Sequence, residues 1–370
     1  MKLGIDGREF QNAGRTGIGR YLADFIEWTA ANRPDIDIAV FMNQRCRYTP
    51  PGPRVSEVII KEDITQIWDQ ILLPRAIKSN NIDVFLSPYF KMPMLAPCPV
   101  VLVVNDLIPL RLPASLSGSA ALTNAYFRAT AFAALRRAAR IISISEFSKQ
   151  DVAREFGIPP GSITVAPLGI SDELAPVRDA ETIRITAARY GIKKPYILYV
   201  GQLRASKNVD SLIRAYASLQ DNFKNEYTLA IGGQKTGEYS RLVKLSKELG
   251  ADEKIDFLGF VDDGSLAALL SGAALFVYPS LYEGFGFPPL EAMACGAPVV
   301  CSAASSLAEV IGEAALAVDP PDAKNIAAAI ERVLSDCALR ESLALKGIER
   351  AREFTIERMS RGFLSVIENV

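Results

Sequence analysis

Short apolar runs alternate with longer segments of helical periodicity along the whole chain. Helical segments such as Val209–Leu219 and Tyr239–Leu249 separate runs that are rich in β-branched residues. Buried strands that alternate with helices are typical of parallel sheets wrapped by helices, so the predicted class is α/β with doubly wound, Rossmann-like layers. The predicted strands are Leu3–Asp6, Asp37–Phe41, Val55–Ile60, Val84–Leu86, Val100–Val104, Ile141–Ile144, Tyr196–Val200, Thr228–Ile231, Ile255–Phe257, Leu275–Tyr278 and Pro298–Cys301.

The chain of 370 residues is longer than one ordinary domain, and its alternating pattern occurs once in each half. The stretch from Gly169 to Pro195 carries several prolines and charges without a core period, which is typical of a linker. We therefore expect an N-terminal Rossmann-like domain at residues 1–180 and a C-terminal one at residues 190–354. Both sheets would turn their carboxyl-end loops toward a shared central cleft, where ligands of open α/β sheets bind.

Composition removes several classes of function. The formal net charge of -1 predicts no nucleic-acid partner, and an odd set of five cysteines without a C-x-x-C pair argues against a disulfide framework or zinc site. The amino-terminal residues lack the apolar core of a signal peptide, and no run approaches the roughly 20 apolar residues of a membrane span. A reducing cytoplasm is the expected location. The absence of histidine removes the usual general base near neutral pH.

The most informative segment runs from Glu283 to Glu291 and follows the predicted strand Leu275–Tyr278. Its prolines suit the first turn of a helix, so Gly284, Phe285 and Gly286 would form a loop at a helix amino end. Free backbone N–H groups and a partial positive charge there suit a diphosphate. The two glutamates could accept hydrogen bonds from sugar hydroxyls. The alternative is that Glu291 complements the helix dipole and Glu283 lies in a solvated turn.

A second cluster begins at Gly201 and also leaves a strand to enter a helix. It places Arg204 and Lys207 together at the carboxyl end of that strand. Two cations at this position can neutralise the charge on a departing nucleotide diphosphate, which is the task of a metal ion in other transferases. The alternative is a solvated basic turn capped by Asn208.

In the first half, a glycine loop from Gly14 to Tyr21 opens the first helix, and Asn105 and Asp106 end the apolar strand Val100–Val104. The glycines do not read G-x-G-x-x-G, which argues against a nicotinamide cofactor. Asp106 is a candidate for orienting the acceptor hydroxyl or acting as helper base, with a turn cap as the alternative. For Ser145 a helix N-cap is the favoured interpretation.

Neither a metal nor another cofactor is expected. The carboxylate pairs Asp35/Asp37 and Asp262/Asp263 lack further oxygen ligands, so solvated turns are favoured over an ion site. The segment Arg128–Arg140 could place arginines at an anionic membrane surface, but an ordinary surface helix is the favoured interpretation.

Taken together, these residues resemble family 4 of the glycosyltransferases over nearly the whole chain, in particular bacterial mannosyltransferase-like members that build surface polysaccharides. The resemblance implies the two-domain GT-B fold, retention at the anomeric carbon and no metal requirement. The motifs that carry it are Glu283-x7-Glu291, Gly201–Asn208, Gly17–Tyr21, Ser145–Lys149, Pro167–Gly169 and Ser306–Glu309.

The resemblance also implies roles for individual residues. Glu283 would bind hydroxyls of the donor sugar and Glu291 the nucleotide ribose, while Arg204 with Lys207 would bind the diphosphate. Gly17 would approach that diphosphate from the other domain. A C-terminal helix, at residues 355–370, would pack back on the first domain.

One position departs from the family, because Asn105 stands where a histidine that contacts the donor sugar is common. Asparagine can form hydrogen bonds there but cannot carry a proton. A second motif that usually holds a histidine reads Ser87–Phe90 without one.

The predicted function is therefore a retaining, metal-independent hexosyltransferase that acts from a nucleotide-diphosphate sugar, with GDP-mannose favoured over UDP-sugars. The acceptor would be a glycan or a lipid-linked sugar, which leaves peripheral contact with the inner membrane face open. In the expected front-face displacement the leaving diphosphate itself helps to remove the acceptor proton. The alternatives are a catalytically silent nucleotide-sugar-binding or assembly protein, favoured by Asn105, and a GT-B epimerase, which the lack of histidine disfavours.

Overall fold

The computed structural model describes residues 1–11, 16–62, 64–112, 120–235 and 237–370, and of residues 120–123 the backbone alone. The chain divides into two compact units, one of Met1–Ser171 with Phe354–Val370 and the other of Asp172–Glu353. Each unit is built on one parallel sheet with helices between its strands. The predicted α/β class with two Rossmann-like layers is confirmed.

The sheet of the first unit has seven strands in the order β3-β2-β1-β4-β5-β6-β7. Its strands are β1 Lys2–Asp6, β2 Asp37–Asn43, β3 Val55–Ile60, β4 Val84–Ser87, β5 Val100–Val104, β6 Arg140–Ser143 and β7 Ile163–Val165. Its described helices are α1 Gly17–Asn32, α2 Thr65–Ile67, α3 Leu73–Ser79, α4 Ile108–Arg111, α5 Ala120–Arg137, α6 Glu146–Phe156 and, late in the chain, α16 Ile356–Ile367. A π-helical turn, Trp68–Leu72, joins α2 to α3.

Burial on both faces explains the apolar strands of this sheet. All five residues of β5 are buried, as expected for a central parallel strand that is covered by helices on both sides. Helix α1 begins at Gly17 because the Thr16 side chain accepts a hydrogen bond of 3.0 Å from the Gly19 N–H.

Helix α16 completes the first unit. The ring of Phe363 is fully buried and lies 5.9 Å from the ring of Tyr21 and 5.5 Å from that of Phe25 on α1. The returning chain passes so close to Gly169 that a Cβ there would lie 2.4 Å from the Thr355 carbonyl oxygen. Glycine at this position therefore permits the contact between two backbones.

The second unit has a six-stranded sheet in the order β10-β9-β8-β11-β12-β13. Its strands are β8 Tyr196–Val200, β9 Thr228–Gly232, β10 Ile255–Gly259, β11 Leu275–Tyr278, β12 Val299–Ser302 and β13 Leu316–Val318. Its described helices are α7 Ala180–Arg189, α8 Val209–Ser218, α9 Asp221–Glu226, α10 Gly237–Glu248, α11 Asp263–Ser271, α12 Phe287–Ala294, α13 Leu307–Ile311, α14 Ala323–Ser335 and α15 Cys337–Ala351.

The structure adds three elements that the pattern did not predict. Strands β7 and β13 are each three residues long and lie at sheet edges, where partial exposure removes a continuous apolar run. Helix α7 lies inside the stretch that was predicted to be a linker. Ala187 is the buried residue of this helix, so no apolar period marks it.

Candidate functional site

The topology of the second unit brings the two motifs of its half together. Strands β8 and β11 are parallel neighbours, with Leu275 opposite Ile197. Their carboxyl ends therefore adjoin at one edge of the sheet, and the loops that follow them carry Lys207 and Glu283. The backbone N–H of Leu281 donates to the Ser206 carbonyl at 2.9 Å, which ties the two loops to each other.

Glu283 and Lys207 form a largely buried ion pair at this edge. Nζ of Lys207 lies 2.6 Å from Oε1 of Glu283, and the two side chains are 13% and 10% exposed. The hydroxyl of Tyr278 donates a second hydrogen bond of 2.8 Å to the same Oε1. The carboxylate is thus oriented by a cation and a hydroxyl at once, and such an oriented carboxylate can accept hydrogen bonds from ligand hydroxyls.

Tyr278 ends strand β11 and is fixed by its neighbours. Its ring stacks on that of Tyr199 on β8, with 5.6 Å between the ring centroids and 10° between the planes. Burial raises the pKa of the Tyr278 hydroxyl well above its ordinary value, and the charge of Glu283 adds to the shift. The hydroxyl therefore stays protonated at neutral pH and keeps its role as donor to the carboxylate.

Two serines hold the loop that carries Glu283. The Glu283 N–H donates to Oγ of Ser305 at 2.8 Å. The Ser306 hydroxyl lies within hydrogen-bond distance of the carbonyls of Glu283, at 2.9 Å, and Phe285, at 3.0 Å. These contacts fix the loop directly ahead of α12.

The loop enters α12 through Gly286, whose φ is 109°. A Cβ at this position would lie 2.4 Å from Cδ2 of Leu307, so only glycine fits both the backbone angle and the space. Gly284, Phe285 and Gly286 therefore lie at the amino end of a helix, as predicted. Glu291 is 4% exposed and lies one turn into α12. Glu283 is 7% exposed, whereas a residue of a solvated turn would be exposed.

Arg204 is not part of the Lys207–Glu283 pair. Its side chain is exposed and makes no ion pair within the described part of the chain. Gly201 follows β8, and a Cβ there would lie 2.8 Å from the Tyr199 hydroxyl. The two cations of the motif thus share a loop, but only Lys207 contacts the glutamate in this structure.

The candidate site residues Asn105 and Asp106 form hydrogen bonds with other residues of the first unit. Oδ1 of Asn105 accepts a hydrogen bond of 3.3 Å from the Tyr21 hydroxyl, and its Nδ2 donates to the Pro88 carbonyl at 2.8 Å. Oδ1 of Asp106 accepts from the Ile108 N–H at 2.8 Å, in the turn that precedes α4, whose N-cap is Leu107. Ser145 is confirmed as the N-cap of α6.

Gly17 opens α1, and Gly14 lies outside the described residues.

The carboxylate pairs have other partners. Asp35 pairs with Arg33 at 2.6 Å, and Asp262 pairs with Arg189 at 2.6 Å and accepts from the Tyr190 hydroxyl. Across the described ranges, no three histidine, cysteine or acidic side chains are grouped closely enough to bind a metal ion.

The basic segment Arg128–Arg140 uses several arginines internally. Arg128 forms an ion pair of 2.6 Å with Glu155, and Arg137 donates to the Met94 carbonyl at 2.6 Å. These contacts support the interpretation as a surface helix. Among the described helices, none has the length and apolar character needed to cross a membrane.

Tyr278 and Ser305 cannot be recognised as site residues from the sequence pattern. Tyr278 is one more apolar position of a buried strand, and nothing in the sequence marks Ser305 as a partner of a residue 22 positions earlier. Ser306 belongs to the motif Ser306–Glu309, which by itself indicates no role for its hydroxyl.

Two family models match the chain in succession. The model described as "Glycosyltransferase Family 4" matches residues 15–174, and the one described as "Glycosyl transferases group 1" matches residues 184–350. The chain is 36% identical over 232 residues to the O-antigen chain mannosyltransferase B of Escherichia coli, over 63% of this chain and 61% of that protein. The chain thus matches less than two thirds of the length of such curated relatives.

Solved structures show the same fold. Sucrose-phosphate synthase of Thermosynechococcus elongatus superposes with a TM-score of 0.81 at 21% identity, covering 100% of this chain and 98% of the other. HepE of Anabaena in complex with UDP-glucose superposes with a TM-score of 0.80 at 17% identity, covering both chains completely, at 100% each. The chain belongs to family 4 of the glycosyltransferases and has the GT-B fold, as its motifs, its two parallel sheets and both family models show.

Proposed function

We propose that this chain is a retaining, metal-independent hexosyltransferase. It would move a hexose, best matched by mannose from GDP-mannose, to a glycan or lipid-linked acceptor during surface polysaccharide synthesis. The observation that carries the proposal is the carboxylate of Glu283, oriented by Lys207 and Tyr278 beside the amino end of α12.

The chemistry of the second unit suits a leaving nucleotide diphosphate. Lys207 and the exposed Arg204 supply two cations on one loop, and the amides of Gly284–Gly286 precede a helix. Cations and helix-end amides stabilise negative charge that develops on a leaving group. They would do here what a metal ion does in other transferases. Glu283 would accept hydrogen bonds from the donor sugar, and Glu291 from the ribose.

The acceptor proton would pass to the leaving diphosphate in a front-face displacement, so that the new glycosidic bond keeps the anomeric configuration. No protein nucleophile is needed. Asp106 would act as a helper base for this proton. Its Oδ1 accepts the Ile108 N–H in the structure. The donor would bind to the unit Asp172–Glu353 and the acceptor to the unit that contains Met1–Ser171.

Mannose and polysaccharide synthesis are supported by the relative named as an O-antigen chain mannosyltransferase. The protein would act in the cytoplasm, at the inner face of the membrane, where both a nucleotide sugar and a lipid-linked acceptor are present. The UDP-glucose complex of HepE keeps UDP-sugars as the second choice of donor.

Nucleotide release from a panel of nucleotide sugars tests the proposal. Wild type is compared with Glu283→Gln, Arg204→Gln and the matched control Arg214→Gln, which changes an exposed arginine on α8. We expect turnover of GDP-mannose that persists in chelator, falls about 10²–10³-fold in the first two variants and is unchanged in the control. NMR of the product should show the anomeric configuration of the donor.

Two results would contradict the proposal in different ways. Turnover that requires a divalent cation, or a product of inverted configuration, would refute the mechanism. Tight binding of one nucleotide sugar without turnover, when acceptors are supplied, would favour the silent binding protein.

A further inference from the structure

The loop Pro279–Glu283 is flanked by two loops that each contain an unusual backbone conformation. It follows β11, which lies between β8 and β12 in the sheet, so the loops after those two strands adjoin it on either side. Asn208 in the first flanking loop has a φ of 55°, and Ser305 in the second has a φ of 58°. Among the residues that the structure describes, Asn81 is the third non-glycine residue with a positive φ. Residues held in this region are uncommon and cluster at functional sites, so the two beside one loop point to a role in that loop.

Asn208 holds the beginning of the loop. It is buried, and its Nδ2 donates to the carbonyl of Pro279 at 3.2 Å and to that of Pro320 at 2.5 Å. Its Oδ1 accepts from the Ser211 hydroxyl at 2.8 Å, so both ends of the amide are engaged. Asn208 also ends the 3₁₀ turn that carries Lys207. Its contacts therefore fix that turn against the first residue of the neighbouring loop.

Ser305 holds the other end of the loop. Its Oγ accepts the hydrogen bond of 2.8 Å from the Glu283 N–H. The same hydroxyl donates to the Ala304 carbonyl at 2.6 Å, which leaves its lone pairs to face the Glu283 amide. The Ala304 N–H in turn donates to Oγ of Ser302, the last residue of β12, at 3.0 Å. The end of the loop is thus tied to the rigid sheet through Ser305.

The placement of these contacts favours a role in the reaction over a role in stability alone. Asn208 directly follows Lys207, and Ser305 bonds to the backbone of Glu283, so the two residues act on the partners of one ion pair. A shift of about 1 Å in a group that binds the reacting molecule can lower a rate about 100-fold. Two strained residues that fix both partners of the pair would prevent such a shift.

We propose that Asn208 and Ser305 form a clamp of two positioning residues for the reaction of the second unit. They fix the two ends of Pro279–Glu283 and thereby hold the carboxylate of Glu283 and the cation of Lys207 in place for the donor. Neither clamp residue needs to touch the donor. This inference rests on the proposed function, since it concerns the same site.

Nucleotide release tests the clamp. Asn208→Gly removes the amide contacts while glycine adopts the positive φ without strain, and Ser305→Ala removes only the hydroxyl. With GDP-mannose, or whichever nucleotide sugar wild type turns over, we expect kcat to fall at least about tenfold in each variant. Two controls should leave kcat unchanged. Asn81→Gly makes the same backbone change on an exposed turn, and Ser162→Ala removes an exposed loop hydroxyl.

The Glu283→Gln background separates positioning from simple destabilisation. If the clamp acts through the carboxylate, Asn208→Gly and Ser305→Ala should each lower kcat by less than about threefold once that carboxylate is absent. A purely structural role predicts the same fold-loss in both backgrounds. All rates are compared below the thermal midpoint of every variant. If Asn208→Gly does not fold, Ser305→Ala carries the test, because Ser305 is partly exposed.

Hydrogen exchange followed by mass spectrometry tests the clamp without turnover. Peptides that cover residues 279–286 should exchange faster in Asn208→Gly and in Ser305→Ala than in wild type, because the loop loses a contact at one end. The control Asn81→Gly should leave these peptides unchanged.

An unchanged kcat in either folded clamp variant, equal fold-losses in the two backgrounds, or unchanged exchange of residues 279–286 would overturn the inference. Failure of wild type to release nucleotide from any donor would instead contradict the proposed function. Hydrogen exchange would then still decide whether Asn208 and Ser305 hold the loop.

Discussion

Nζ of Lys207 lies 2.6 Å from Oε1 of Glu283, and the two residues are 76 positions apart in the chain. Both side chains are almost withdrawn from solvent. Removing one partner of such a pair leaves a buried charge, whereas removing both does not. The two residues are therefore expected to be energetically coupled in the folded protein.

A double-mutant cycle should reveal this coupling. Lys207→Met and Glu283→Gln should each lower the free energy of unfolding, and the double variant should lose less than the sum by about 1–3 kcal/mol, measured by urea denaturation. The exposed pair Lys244–Glu248, 3.5 Å apart, is the control and should couple by less than about 0.5 kcal/mol. Equal coupling energies in the two cycles would show that burial does not strengthen the interaction between Lys207 and Glu283.

Gly286→Ala should damage the loop ahead of α12. The positive φ and the contact with Leu307 make any Cβ unfavourable, so we expect a loss of about 1–3 kcal/mol in stability together with weaker donor binding. Gly237→Ala is the control, because its Cβ would meet nothing within 4 Å. Equal thermal midpoints for the two variants would contradict this account of the loop.

Asn105→Ala should destabilise the first unit, because it leaves the buried hydroxyl of Tyr21 and the Pro88 carbonyl without their partner. The expected cost is about 1–3 kcal/mol in denaturant unfolding. Tyr21→Phe should then cost less in the Asn105→Ala background than in wild type. If Tyr21→Phe costs the same in both backgrounds, the hydroxyl and the amide are not energetically coupled.

Thiol reactivity should separate Cys337 from the other cysteines. Cys337 is exposed, whereas burial raises the pKa of Cys98 to about 11 and that of Cys295 to about 12. Because a raised pKa keeps a thiol protonated to higher pH, and the thiolate is the reactive form, Ellman's reagent at pH 8 should label Cys337 first. Cys337→Ser should remove the fast phase, and urea should release the rest. A fast phase that persists in Cys337→Ser would contradict the burial of these thiols.

The sequence predicted the fold well because its buried parallel strands are continuous apolar runs. β5, with five buried aliphatic residues, is identified by composition alone. The short edge strands β7 and β13 and helix α7 were not predicted, because three-residue or half-exposed elements need no continuous apolar pattern.

The candidate site was predictable only in part. Once β8 and β11 are neighbours, the loops after them must meet, so the approach of Lys207 to Glu283 follows from topology. The exposure of Arg204 and the contact with Tyr278 depend on side-chain rotamers, which no spacing encodes.

The position of α16 sets an order of assembly during synthesis. The ribosome delivers Met1–Ser171 first, yet the helix that covers Tyr21 and Phe25 emerges only after Asp172–Glu353 has been made. The second unit is a continuous segment and can finish folding as soon as it is released. The unit that contains Met1–Ser171 is therefore completed after the unit Asp172–Glu353, and until then part of its aromatic core is exposed to chaperones and to other nascent chains.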